Sequence, residues 1–132
     1  MKRPARLLLI ACALVAGCGG EIQVPEQQAQ LRKGAELFNQ RCSGCHTLDS
    51  ANAYGSKPSD ELKAGERTNG PSFNTRRVRR DDALFAIRNG GFSGSIMPAN
   101  VVVGRDAEDI AAFLARYSGK KKSKGPDSPV SP

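Results

Sequence analysis

Three stretches of the chain place apolar residues at helical spacing. Over residues 105–117, Ile110, Phe113, Leu114 and Tyr117 recur at i, i+3, i+4 and i+7, which is one buried face of a helix. Asp106, Glu108 and Asp109 put acids at its start, where the helix dipole favours negative charge. Over residues 25–41, Leu31, Ala35 and Phe38 share a face with Cys42, while Pro25 and Glu26 supply helix-opening chemistry. Gly34 lies on that same side. Glycine inside a helix costs about 1 kcal/mol relative to alanine, and the close approach of a second helix is a physical reason to accept it; the 105–117 segment is the expected partner. A shorter helix is predicted over residues 82–89, with Asp81 or Asp82 as its cap, Leu84 and Ile87 inside, and Gly90 after its end. No segment alternates over enough residues to predict a sheet, so the expected domain is all-α.

The two ends follow other rules. Lys2, Arg3 and Arg6 precede an apolar run over residues 7–17, which is shorter than the roughly 20 residues a spanning helix needs. That is the pattern of a secretory signal. The VAGC at residues 15–18 resembles the lipobox of bacterial lipoproteins, which would make Cys18 a lipidated new N-terminus; an ordinary signal cleaved nearby, with Cys18 free or lost, is the alternative. The expected organisation is a signal over 1–17, a tether over 18–25, a domain over 26–119, and a disordered tail over 120–132 that is basic and rich in Pro and Ser. An exported protein, lipid-anchored on the extracytoplasmic side of the membrane, follows from this organisation.

With 132 residues and no tryptophan, the chain suffices for one small core. Domains of this size often need a metal, disulfide or cofactor to supplement apolar burial. The cysteines supply the candidate. Of four cysteines, Cys12 leaves with the signal and Cys18 is modified, so Cys42 and Cys45 remain, in RCSGCHTLDS with the chain's one histidine, His46, directly after them. Outside the cytoplasm such a pair can be a redox couple, a zinc half-site or a haem attachment site. Zinc needs four ligands, generally from two separated pairs, and there is no second pair. A thioredoxin-like pair follows a strand, whereas here the preceding residues read as a helix. C-x-x-C-H fits one covalently held haem c: two thiols can form thioethers to the two vinyl groups, and the next residue then directs its imidazole at the iron. Zinc and thiol-redox chemistry stay as alternatives.

The second axial position has few candidates. There is no other histidine, and the one methionine besides the initiator is Met97, 51 residues beyond His46. Core packing is the ordinary use of a lone methionine. Pro98 after it and Gly90, Gly91 and Gly94 before it instead mark a shaped loop, which favours a thioether ligand.

The chain at this point resembles the class I cytochromes c. Residues 34–49, GAELFNQRCSGCHTLD, look like the family's first helix and attachment site; NGPSF at 69–73 looks like its Gly-Pro turn, IMPA at 96–99 like its distal methionine loop, and EDIAAFLARY at 108–117 like its last helix. An attachment site near the mature N-terminus argues against the four-helix cytochromes c′. The resemblance implies crossed N- and C-terminal helices, a further helix between them, and a haem enclosed by loops. It implies thioethers at Cys42 and Cys45, axial bonds from His46 and Met97, and a Pro71 carbonyl that accepts the imidazole N–H. Gly34 and Phe38 would meet Phe113 and Leu114 at the crossing. The departure from compact members is the 23-residue connection over 47–69, polar and rich in turns, which either holds a short helix near residues 60–65 or is a surface insertion.

Charge then refines the choice of partner. The 20 basic residues fall to 17 once Lys2, Arg3 and Arg6 leave, against 13 acidic, and two haem propionates would halve the remaining excess. Two clusters persist, RRVRR at 76–80 and KKKSK at 120–124. Nucleic acid is not expected as a partner of an exported lipoprotein. RRVRR is either a solvated face or a site that neutralises a propionate or meets an acidic redox partner. A single-electron carrier, monomeric and not an enzyme, is the expected function, because Met97 fills the distal position and no distal histidine is available for acid-base work. A haem-based ligand sensor or small haem enzyme with a labile distal site is the alternative. By resemblance, a membrane quinol-cytochrome c reductase would be the donor, and a terminal oxidase or other haem or copper protein the acceptor in a respiratory chain.

Overall fold

The computed structural model describes residues 20–66, 69–91 and 96–121. Their order is α1 (Ala29–Cys42), β1 (Thr47–Leu48), a 3-10 turn at Asp49–Ala51, β2 (Ala53–Tyr54), a second 3-10 turn at Ser59–Glu61, α2 (Arg80–Asn89) and α3 (Gly104–Tyr117). The architecture is mainly helical, as the apolar periodicity predicts. Residues 1–17, expected as a signal, Cys18, Gly94 of the expected methionine loop and the tail beyond Lys121 lie outside the described residues.

The crossing of α1 with α3 organises the core. Gly34 makes it possible: a Cβ there would lie 2.2 Å from the backbone oxygen of Asp109 and 2.8 Å from Cβ of Phe113. The Phe38 and Phe113 rings meet beside it with centroids 6.1 Å apart, and both are fully buried. Asp109 has a different role from the one its position near the start of α3 predicts. It is 3 % exposed, accepts a hydrogen bond from Gln30 Nε2 at 2.9 Å and pairs with Lys33 Nζ at 3.2 Å, so its charge ties the two helices instead of facing solvent. Asp106 alone is the first-turn acid.

Helix α2 lays Ala83, Leu84 and Ile87 into the core. Its N-cap is Arg79, not Asp81 or Asp82; those two carboxylates sit in the first turn without a side-chain capping bond, where the dipole still favours them. Gly90 ends the helix with φ 88°, a conformation that favours glycine.

Helix α1 starts at Ala29, four residues later than its opening signals predict. Pro25 is spent on a turn that Gln28 N–H closes at 3.0 Å. The residues before it, expected as part of a tether, are docked: Val24 is 2 % exposed, Arg32 Nη1 donates to its carbonyl at 2.8 Å, and Asn52 Nδ2 donates to the Gly20 carbonyl at 2.8 Å.

The two-residue strands were not expected. They pair antiparallel, Thr47 with Tyr54 and Leu48 with Ala53, around Asn52 at φ 51°. Asn39 of α1 donates to the carbonyls of Ala51 and Asn52 at 3.0 and 2.7 Å, which holds this bend on the helix. The rest of the long connection is closed on itself: Asn69 accepts from Lys57 N–H at 2.7 Å and donates to the Lys57 carbonyl at 3.2 Å, and Lys57 pairs with Glu66.

Candidate haem site

The C-x-x-C-H segment begins on the last residue of α1 and turns at once. Cys45 and His46 N–H both donate to the Cys42 carbonyl, at 3.1 and 2.9 Å, so the helix end hands the imidazole into the interior. Three later residues then fix the ring. His46 Nδ1 bonds the Pro71 carbonyl at 3.0 Å. A carbonyl can only accept, so Nδ1 carries the proton and Nε2 keeps its lone pair. Phe73 stacks on the imidazole, with centroids 4.8 Å apart and planes at 15°. Gly70 closes the remaining side, since a Cβ there would lie 2.4 to 2.8 Å from three ring atoms. Burial pushes the His46 pKa down, the Pro71 bond opposes this, and Arg76 adds a further lowering. The neutral ring, the form that can ligate a metal, is favoured.

Both thiols are free. Burial pushes the Cys42 thiol up to about 12, with Cys45 adding to the rise, so it stays protonated at neutral pH. Cys42, Cys45 and His46 line one cavity of about 250 Å³, and Met97 lines the same cavity. Its apolar wall takes Phe38 from α1, Ile87 from α2 and Leu114 from α3. Met97 is partly buried against the core, and its loop is tied down by Asn100 N–H donating to the Ile87 carbonyl at 2.8 Å. Gly90 gives that loop room: a Cβ there would come within 2.9 Å of the Met97 carbonyl. Arg41, Arg76 and Arg77 stand at the cavity rim.

Two free thiols, an imidazole with a lone pair at Nε2, a thioether and an aliphatic wall are the donor set that suits a covalently held haem c. Among the described residues, no three His, Cys, Asp or Glu side chains gather as a metal site, which leaves the zinc reading without its remaining ligands.

A family model described as cytochrome C oxidase, cbb3-type, subunit III matches residues 29–114. The chain belongs to the class I cytochrome c family. The c-type cytochrome SorU from Sinorhizobium meliloti is similar to it in structure, with a TM-score of 0.53, 26 % identity, and coverage of 71 % of this chain and 97 % of that one. No curated protein matches by sequence. Membership brings covalently bound haem c and haem-based electron transfer.

In this cytochrome the sequence brought out the thiols, His46, Pro71 and Met97, all of which the structure places at one cavity. It missed the walls of the imidazole, Gly70 and Phe73, although both stand within the NGPSF turn. Neither contact has a local signal, because each arises only when residues about 25 positions apart are brought together by the fold. A test follows from the Gly70 contact. Gly70→Ala should displace the ring, weaken its bond to Pro71 and destabilise the protein by about 1–3 kcal/mol, the usual cost of overpacking. The shift of the histidine ring protons in the NMR spectrum and the thermal midpoint measure the two effects.

Proposed function

We propose that this cytochrome is a single-electron carrier with one haem c, held by Cys42 and Cys45 through thioethers and by His46 and Met97 at the iron. The observation that carries the reading is that an imidazole held at Nδ1 by the Pro71 carbonyl and the one methionine besides the initiator line the same cavity as two free thiols. When bound, the haem supplies a one-electron couple. The protein's residues do the rest. Pro71 holds the imidazole in one tautomer and raises its basicity. Phe38 and Phe73 flank the ring with apolar surface, which keeps the site dry and limits rearrangement. Arg41, Arg76 and Arg77 put positive charge at the rim, suited to a propionate or to an acidic redox partner.

The reading extends to place and partners. Cys18 would be lipidated and hold the protein on the extracytoplasmic face of the membrane, as a monomer that receives electrons from a quinol-cytochrome c reductase and passes them to a terminal oxidase or another haem or copper protein. The family model's own description, an oxidase subunit, supports an oxidase on the acceptor side.

Denaturing electrophoresis with haem staining tests the core of the proposal. Wild type expressed with haem-attachment machinery should stain; Cys42→Ala or Cys45→Ala should keep at most one thioether, and His46→Ala should yield no stable holoprotein. A wild-type band without covalent haem would return the site to zinc or thiol chemistry.

A further inference from the structure

Two segments 25 positions apart run side by side where the imidazole is held. Gly70 N–H donates to the Cys45 carbonyl and Phe73 N–H to the Thr47 carbonyl, each at 2.8 Å, and Thr47 and Ser72 are bridged in parallel. The bond between His46 and Pro71 is one rung of this ladder. Its last rung is double. Asp49 N–H donates to Asn74 Oδ1 at 2.9 Å, and Asn74 Nδ2 donates back to Asp49 Oδ1 at 2.6 Å. Lys121 holds the Asp49 carboxyl below its ordinary range, and an ionised carboxylate only accepts, so the Asn74 amide is fixed in this orientation. The chain that leaves α3 then closes over the second segment. Ser118 is fully buried, and its Oγ accepts the Val78 N–H at 2.9 Å. Gly119 and Lys121 N–H donate to the carbonyls of Phe73 and Asn74, each at 2.9 Å, and the Lys121 ammonium pairs with Asp49. Gly119 takes φ 67° and lies so close to Arg77 that a Cβ would come within 2.9 Å of its Cα. The strap thus rests on the stretch that presents Phe73 to His46 and brings Arg76 and Arg77 to the cavity rim.

We propose that Asn74 and Ser118 are positioning residues for the histidine ligand: the clasp between Asn74 and Asp49, held shut by residues 118–121, keeps the Pro71 carbonyl on the His46 N–H. The inference rests on the haem reading and adds to it the means by which the end of α3 tunes the redox couple. Asp49 and Asn74 each stand three residues beyond a partner of the bond between His46 and Pro71, so the clasp fixes the spacing of the two segments where the ladder would otherwise open. A firm bond to the carbonyl gives the imidazole more anionic character and makes it a stronger donor to ferric iron, which lowers the reduction potential. A loosened clasp does the reverse.

The test uses the full, haem-loaded chain and Asn74→Leu, which leaves the charge unchanged and removes both bonds to Asp49. In the reduced, diamagnetic protein, NMR should show the His46 Nδ1–H exchanging with solvent about tenfold faster than in wild type, the protection that one hydrogen bond supplies. The rate is taken relative to the amide of Phe113, buried in α3, so that a general loss of stability cancels. The reduction potential should rise. That direction is opposite to the fall expected from loss of the thioether, and it assigns the effect to the histidine side. Asp49→Asn combined with Asn74→Asp exchanges donor and acceptor at constant charge and should restore both readouts. Ser118→Ala removes only the acceptor of the Val78 N–H and should move both readouts the same way by a smaller amount; it decides the matter if Asn74→Leu yields no holoprotein. A lowered thermal midpoint with unchanged relative exchange and potential overturns the proposal. So does a potential that falls, or a double variant as loose as Asn74→Leu. A wild type without covalent haem on the stained gel takes down the haem reading and this inference with it, whereas haem-loaded variants whose ring proton stays protected take down the clasp alone.

Discussion

Met97→Ala is expected to lower the reduction potential of the holoprotein by on the order of 0.1 V or more, within the roughly 0.8 V that axial ligands span. A thioether is a soft, neutral ligand that favours ferrous over ferric iron, so its removal tilts the couple toward the ferric state. The same substitution should let carbon monoxide or cyanide bind quickly where wild type binds them poorly. The loop around Met97 makes this a clean test, because Asn100 N–H keeps the following turn pinned to the end of α2 by backbone alone. Met97→His should restore a sixth ligand while the potential stays low. The weak sulfur-to-iron charge-transfer band of the ferric protein and carbon monoxide binding to the ferrous form are the measurements. A wild type that lacks the band and takes up carbon monoxide as readily as Met97→Ala has an open distal site, and the sensor or enzyme reading then replaces the carrier.

Gly34→Val should cost at least about 3 kcal/mol, at or beyond the upper end of ordinary overpacking. The reason is what the new side chain would meet. The nearest atom is the backbone oxygen of Asp109, 2.2 Å from the Cβ position, and a helix backbone cannot step aside as the end of a long side chain can. The two helices would have to separate, and this would also pull Asp109 away from Gln30 and Lys33 and leave a carboxylate buried without its partners. For a domain of this size the thermal midpoint should fall by about 12–24 °C. Gly34→Ala should fall between wild type and valine. A midpoint unchanged in both variants would mean that the crossing does not depend on a bare backbone at this position.

How much of this was legible in the sequence depended on how local each signal was. The apolar stripe of α3 placed Ile110, Phe113 and Leu114 correctly in the core because a helical face repeats within the segment itself. Gly34 pointed to a close approach because a glycine that costs stability inside a helix needs a compensating contact. The start of α1 was misplaced because Pro25 is as suited to a turn as to a first helical turn, and the burial of Val24 chose between them. Strands of two residues carry no readable alternation, so β1 and β2 had no signal at all. Asp109 carried a misleading one: its sequence position suits a dipole, but its rotation about α3 faces it toward α1. At the site, the spacing of C-x-x-C-H and the scarcity of methionine exposed the polar donors, whereas the stacking of Phe73 on His46 depends on the bend that brings the Gly70–Pro71 turn against the attachment loop.

The crossing of the first and last helices also predicts an order for the chain's maturation. Gln30 and Asp109 are 79 positions apart, and bringing ends so distant together costs roughly 4 kcal/mol of chain entropy before any contact repays it. A chain emerging N-terminus first presents Cys42, Cys45 and His46 well before Gly104–Tyr117 exists to cover α1. The interval between those two moments is a window in which the thiols stand in an open chain, accessible to attachment machinery. Once α3 docks on Gly34 and Phe38, the window closes. The long sequence separation of the two crossed helices therefore predicts that α3 docks late, after the attachment loop has been reached.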